Sequence, residues 1–143
     1  MKRACSTILL ILAVLACGCT TAPQAAPAPD EIAIPSLIGT WTGTLAGYEE
    51  GTGFTDYNKT RMSMVVTGQE GQVFSGHLIF TFSGTESIVP MAGVIGQDGR
   101  TISLVEKDNG YSHGTLIAPD EFELTWAKDT TPYGIALNVL KRA

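Results

Sequence analysis

From residue 36 to the end of the chain, apolar and polar side chains alternate with a period of two, which is typical of half-buried β-strands. The alternation is clearest over residues 73–82, where every second side chain is apolar or a glycine. No stretch shows a competing helical period. The pattern predicts eight strands, over residues 39–47, 61–67, 73–82, 86–95, 101–107, 111–117, 121–127 and 133–140.

Turn signals between these stretches predict how the strands are joined. Asp98-Gly99 and Asn109-Gly110 favour the positive backbone angles of tight hairpins. Pro90 lacks a backbone donor, so a bulge or an edge position is expected there. Eight strands with short connections predict an all-β fold, a single up-and-down antiparallel barrel. The alternative is a two-sheet β-sandwich. A sandwich normally needs long crossovers between its sheets, and the predicted loop at residues 48–60 is the one long connection here.

The first residues have the pattern of an export signal. Lys2 and Arg3 precede the apolar stretch at residues 7–16, and small residues follow it. Ten residues of helix span about 15 Å, half of the roughly 30 Å hydrocarbon core, which argues against a permanent membrane span. We therefore assign residues 1–18 to a signal peptide.

A spacer is predicted between this leader and the barrel. Residues 20–35 hold four of the seven prolines and no aromatic residue, which is typical of an extended linker. The predicted organisation is a signal peptide at 1–18, a Pro/Ala-rich flexible tether at 19–35 and a β-barrel domain at 36–143. In an alternative interpretation, residues 30–35 insert into a partner.

Charge and residue spacing exclude several functions. The formal net charge is −5, and loss of the leader leaves seven basic and fourteen acidic side chains, so nucleic acid is not an expected partner. All three cysteines lie within the first nineteen residues, so the predicted barrel has no disulfide and no thiolate. His77 and His113 lack ligand spacing, and no catalytic constellation is visible. We expect a non-enzyme without cofactor or metal.

The end of the leader resembles the lipobox of prokaryotic lipoproteins. Residues 15–19 read LACGC, and in a lipobox a small residue precedes the cysteine that is lipidated. The resemblance implies lipid attachment at Cys19, with Cys17 as the alternative. The domain would then be anchored to the cell membrane or envelope on its extracytoplasmic face. A plain secretory signal is the other interpretation.

The start of the first strand resembles the calycins, the group of lipocalin, fatty-acid-binding and avidin-type barrels. Residues 37–41 read LIGTW and match their Gly-x-Trp opening, and residues 71–76 are similar to avidin-type third strands. The resemblance implies that Trp41 closes one barrel end. It also implies that a basic residue leaving the last strand, Arg142 or Lys141, packs over the indole.

Two groups of side chains are candidates for ligand contact. Loops at a barrel mouth usually carry binding residues, so the aromatics of the predicted loop are candidate ligand or lid residues: Tyr48, Phe54 and Tyr57. Alternatively, they fix the loop onto the barrel. A narrow mouth is expected to be lined by Met62, Met64, Phe80 and Trp126. Residues 58–60 form a sequon, so Asn58 is a possible glycosylation site.

The predicted function is that of a membrane-tethered extracytoplasmic barrel that binds a small apolar ligand or a protein partner. Two alternatives stay open. One is an inhibitor of envelope proteases, in which the segment at residues 30–41 enters the protease cleft. The other is a purely structural module whose interior is packed solid, since small barrels have little internal volume to spare.

Overall fold

Eight antiparallel strands follow one another in the computed structural model, which describes residues 32–82 and 84–143, with only the backbone at residues 55–60 and 82. The strands are β1 (Gly39–Glu49), β2 (Gly53–Glu70), β3 (Val73–Phe82), β4 (Thr85–Ile95), β5 (Thr101–Glu106), β6 (Gly110–Ala118), β7 (Glu121–Lys128) and β8 (Gly134–Arg142). The predicted signal peptide and both candidate lipidation sites, Cys17 and Cys19, lie outside the described residues. Within those residues there is no helix long and apolar enough to cross a membrane.

The sheet closes on itself. Each strand pairs with the next, and β1 also pairs with β8 over nine residue pairs, from Trp41 with Arg142 to Glu49 with Gly134. This confirms the predicted eight-stranded up-and-down barrel. The sandwich alternative is wrong, because pairing of the last strand with the first leaves no sheet edge.

The predicted loop at residues 48–60 is largely strand. β1 continues to Glu49 and β2 begins at Gly53, so the turn between them is confined to residues 50–52, where Gly51 has a φ of 85°. Residues 57–60 bulge, because the pairing passes from Ala46 with Asp56 directly to Thr44 with Arg61. The predicted bounds of the first two strands were therefore too short. Strand-forming residues such as Phe54 and Thr55, which pair with Tyr48 and Gly47, explain the extension.

Pro90 lies at the end of the ladder between β4 and β5, and no bulge interrupts its pairing with His77 of β3. β4 pairs with β5 only from Met91 to Ile95, so Pro90 lies just outside that ladder. Its carbonyl oxygen still accepts a hydrogen bond from the Lys107 backbone nitrogen, at 2.9 Å. The missing donor of proline thus costs no ladder bond between these two strands.

The core fills the inside of the barrel with one face of every strand. The fully buried side chains include the rings of Trp41 and Phe122, whose centroids are 4.4 Å apart. A large apolar side chain contributes about 1.5–3 kcal/mol when it is fully buried. The core draws on all eight strands: Trp41, Met64, Phe74, Met91, Leu104, Leu116, Phe122 and Leu140.

One end of the barrel, which we call the closed end, is sealed around Trp41 and Arg142. The indole nitrogen of Trp41 donates to the Leu37 carbonyl at 2.9 Å. The guanidinium carbon of Arg142 lies 4.1 Å from the centroid of the Trp41 ring. Arg142 also donates to the carbonyl oxygens of Ser36 and Ile38 and pairs with Asp120 at 2.9 Å. These contacts join the first and last strands to the segment that precedes β1.

That segment, residues 32–38, lies against the closed end. The amide of Gln69 accepts from the Leu37 nitrogen at 2.7 Å and donates to the Pro35 carbonyl at 2.9 Å. Leu37 is 1% exposed, and Ile34 packs against the core. The last residues of the predicted tether, 32–35, are therefore in contact with the barrel, while residues 19–31 lie outside the described residues.

Close approach between strands requires glycine on the inner face of the barrel. A Cβ atom built on Gly76 would lie 1.9 Å from the backbone oxygen of Val65 on β2. A Cβ atom built on Gly43 of β1 would likewise lie 1.9 Å from the backbone oxygen of Val139 on β8. Small closed sheets must curl strongly, and glycines at such positions allow the strands to bend inward.

We predict that Gly76→Ala lowers the free energy of unfolding by about 3 kcal/mol, because the new methyl group meets backbone that cannot move aside. Gly68→Ala on the neighbouring strand is the matched control. Its Cβ would make an ordinary contact of 3.6 Å with Ser75 Oγ, and we expect a change within about 0.5 kcal/mol. Urea denaturation measures both, and equal effects would contradict the explanation.

Candidate functional site

The end opposite the closed end, which we call the mouth, has an inner wall that solvent reaches. It is formed by the β1–β2, β3–β4, β5–β6 and β7–β8 connections. Deeper inward-facing side chains are fully buried, such as Met64, Leu78 and Leu124 at 0% exposure. Towards the mouth the inward-facing apolar side chains are only partly buried: Leu45, Phe80, Val89 and Trp126. Burial therefore decreases along the barrel axis towards the mouth.

All four side chains predicted to line the mouth face inward. Met62 and Phe80 are cross-strand partners, and Met64 pairs with Trp41 of the closed end. The methionines are 2% and 0% exposed, so they belong to the buried interior. Phe80 and Trp126 stay partly exposed. Of the predicted set, these two are the ones a ligand at the mouth would meet.

Tyr48 and Phe54, predicted as lid residues, lie on the outer wall. The inward positions of β1 are the odd-numbered ones from Trp41, so Tyr48 faces outward together with its cross-strand partner Phe54. Their ring centroids are 5.2 Å apart, Tyr133 lies 6.0 Å from Tyr48, and Phe54 is 91% exposed. They border an outer-wall groove of about 660 Å³ near Leu137. The side chains of Tyr57 and Asn58 lie outside the described residues.

Polar groups are buried on the inner wall near the mouth. Glu106, Ser112 and Asn138 are 2%, 3% and 2% exposed. Ser112 Oγ donates to Glu106 Oε1 at 2.6 Å, and Asn109 Nδ2 donates to Glu106 Oε2 at 2.7 Å. Trp126 Nε1 donates to the Asn109 carbonyl at 2.7 Å. We call Glu106, Asn109, Ser112 and Trp126 the mouth cluster.

The Glu106 carboxyl is held in an environment that disfavours its charge. Burial raises its pKa above the ordinary value of 4.5, and the hydrogen bonds from Ser112 and Asn109 oppose that rise only in part. Among the described residues the ion pairs are Lys141 with Glu121 and Arg142 with Asp120. No described lysine, arginine or histidine thus pairs with Glu106.

The buried carboxylate of Glu106 is not among the residues predicted for the site, although the alternation of β5 contains a signal for it. On β5 the inward positions are Ile102, Leu104 and Glu106, so the strand period places a charged residue on the apolar face. Asn138 follows Ala136 and precedes Leu140 on β8 in the same way. A polar residue at a position where the alternation of a strand predicts an inward-facing side chain is therefore the sequence signal for a buried polar group.

The side chains of both histidines lie on the outer wall and do not face the mouth cluster. His113 Nδ1 is 3.0 Å from Ser103 Oγ, and His77 alternates with the inward-facing Leu78. Across the described parts of the chain, no group of three or more histidine, cysteine, aspartate or glutamate side chains is placed to hold a metal ion. The polar chemistry of the interior is therefore that of hydrogen-bonded carboxylate, hydroxyl and amide groups.

Comparison with known proteins identifies the fold. No protein-family model and no curated protein matches the chain. A redesigned β-barrel superimposes with a TM-score of 0.50 at 16% identity, over 75% of this chain and 91% of that one. EF1p2_mFAP2b bound to DFHBI (TM-score 0.46, 14% identity, 75% and 94% covered) and the redesigned barrel mFAP0 bound to DFHBI (0.46, 17%, 74% and 98%) are also similar.

We predict that burial of Glu106 makes stability fall as pH rises above 4.5. Between that ordinary pKa and the raised pKa of the folded state, the folded protein binds more protons than the unfolded chain, so each rise in pH favours unfolding. Glu106→Gln removes this titration. The unfolding free energy of the unmodified protein should therefore decrease relative to that of E106Q as the pH rises above about 4.5.

Urea denaturation across this range measures the difference. Glu123→Gln is the matched control, because Glu123 is an exposed glutamate on the outer wall of β7. A pH-independent difference between the unmodified protein and E106Q would show that the carboxyl titrates alike in the folded and unfolded states.

Proposed function

We propose that this domain is a non-catalytic binding protein that holds a small apolar molecule at the barrel mouth. The observation that carries the proposal is the gradient of burial along the barrel axis. Apolar side chains on the inner wall are completely buried near the closed end and only partly buried at the mouth. A ligand that covers Leu45, Phe80 and Val89 would remove this remaining apolar surface from water.

The composition of the inner wall also supports binding of a small molecule. Binding sites for small molecules are mostly apolar, with a few polar groups that fix orientation. At the mouth, the apolar surface of Phe80 and Val89 stands beside a small set of hydrogen-bonded polar groups around Glu106. The closed end supplies a rigid base for such a site, because Trp41 and Arg142 seal it.

We predict that decanol, a neutral apolar probe, binds at the mouth and changes the fluorescence of Trp126. Phe80→Asn should weaken decanol binding about tenfold, because it removes part of the apolar contact surface. Leu137→Asn is the matched control, since Leu137 lies on the outer wall and is 46% exposed. Fluorescence titration of the three proteins gives the affinities.

The two variants distinguish the mouth from the outer wall. An unchanged affinity in F80N together with a loss in L137N would place the apolar site in the groove beside Tyr48 and Leu137. That result would favour a partner on the barrel surface over a ligand inside it. Absence of decanol binding in the unmodified protein would contradict the mouth as an apolar site and favour the purely structural alternative.

The cellular setting that we propose is the extracytoplasmic face of a membrane. The basic start, the short apolar stretch and the LACGC junction support export and lipid attachment at Cys19, with Cys17 as the alternative. Residue 32, where the described chain begins, lies beside Gly99 at the closed end.

We also propose a relation to the calycins. The Arg142 guanidinium over the Trp41 indole, with the Gly-x-Trp opening of β1, supports it. A protease-inhibitor function has less support. It would require the segment at residues 30–41 to enter a cleft, whereas the backbone of Pro35 and Leu37 is bonded to Gln69 of the same chain.

We predict that Cys19→Ser transfers the protein from the membrane fraction to the soluble fraction, because it removes the acyl chains that would hold the mature N-terminus in the bilayer. Cys17→Ser is the control for the alternative site, and Cys5→Ser tests a cysteine outside the junction. Fractionation of cells expressing each variant gives the answer. Retention of the C19S protein in membranes with release of C17S would move the attachment to Cys17.

A further inference from the structure

We propose that the ligand of the mouth carries a protonated amine, and that Glu106 is the counter-ion that binds it. The inference rests on the proposed function, because it assigns a chemical class to the molecule bound there. It starts from the position of Glu106 on the inner wall and from the charge balance around it.

Glu106 shares its wall with the apolar side chains of the mouth. It is the last residue of β5 and faces inward, as do Ile102 and Leu104 before it. Ser112, which donates to its carboxylate, is the cross-strand partner of Trp126. An amine joined to an apolar group in contact with Trp126 would therefore be within one side chain's distance of the carboxylate.

The carboxylate keeps acceptor capacity for a ligand. Two carboxylate oxygens offer about four lone-pair sites, and Ser112 and Asn109 each bind a different oxygen. These two donors also fix the orientation of the carboxyl group. The orientation of the carboxyl group is therefore fixed before a ligand binds, which lowers the entropic cost of binding.

The missing component is a positive charge. Taking a carboxylate out of water is costly unless a cation or several donors compensate it. The two groups that donate to Glu106 are a hydroxyl and an amide, and neither of them is charged. A protonated amine would supply the charge that the described surroundings of Glu106 lack. The indole of Trp126 adds a face on which an ammonium group can also rest.

If Glu106 served only to stabilise the β5–β6 turn, ligand binding would not depend on its charge. Asn109 bonds both to the Glu106 side chain and, through its backbone nitrogen, to the Glu106 carbonyl at 3.1 Å. A carboxylate that only fixes this turn would affect stability without distinguishing between charged and neutral ligands. Ligand preference is therefore the measurement that separates the two roles.

The test compares decylamine, decanol and decanoate, which share one alkyl chain length and differ in the charged or polar group. Each is titrated at about pH 8, where the amine is protonated, and below its micellar concentration, with Trp126 fluorescence as the readout. We expect decylamine to bind about tenfold more tightly than decanol and decanoate more weakly than either, because a charged hydrogen-bonded pair exceeds a neutral one.

Glu106→Gln should abolish the tenfold preference for decylamine over decanol, because the amide carries no charge. Glu123→Gln, which removes the same charge from the outer wall, should keep the tenfold preference.

Equal binding of decylamine and decanol by the unmodified protein would overturn the amine assignment while leaving the apolar site intact. Failure of all three compounds to bind would overturn the proposed function as well. The comparison on the unmodified protein needs no variant, so it is decisive whatever E106Q does to folding.

Discussion

Backbone pairing between β1 and β8 joins the two ends of the sheet, and the other features of the domain follow from it. The register places Trp41 opposite Arg142, so the strand ladder itself brings the guanidinium over the indole. The approach of the two strands is close enough that Gly43 has no room for a side chain beside Val139. Closure therefore determines the sealed end and the sharp curvature of the sheet, and it removes the edges through which open sheets aggregate.

The two ends of the barrel differ because closure is reinforced at one of them. At the closed end, residues 32–38, Gln69 and Arg142 add side-chain and backbone bonds to the strand ladder. At the mouth, β1 and β2 form a long hairpin whose aromatics Tyr48 and Phe54 pack outside the wall. The inner wall there is consequently left partly exposed. Packing of the inward-facing side chains is therefore complete near the closed end and incomplete at the mouth.

Much of this architecture could be predicted from the period of the sequence. Alternation gave eight strands, and Asp98-Gly99 and Asn109-Gly110 marked two of the turns, because both signals are local. The extension of the first hairpin was missed, since its residues follow no simple alternation and the bulge at residues 57–60 depends on pairing with β1. The outward position of Tyr48 could not be predicted for the same reason. The register of pairing between strands determines which face of the sheet a side chain lies on.

Glu106 is a charged residue at a position where the packing of the barrel interior favours an apolar side chain. At the inward positions of β5, isoleucine and leucine are followed by a carboxylate that the hairpin turn, Ser112 and Asn109 hold in place. If packing alone determined this position, an apolar residue would stabilise the interior without the cost of desolvating a charge. The carboxylate instead lies at the end of the barrel where the apolar wall is incompletely covered. The proposed ligand, apolar over most of its surface and cationic at one point, would account both for the partly exposed apolar wall and for an acid that has no charged partner among the described residues.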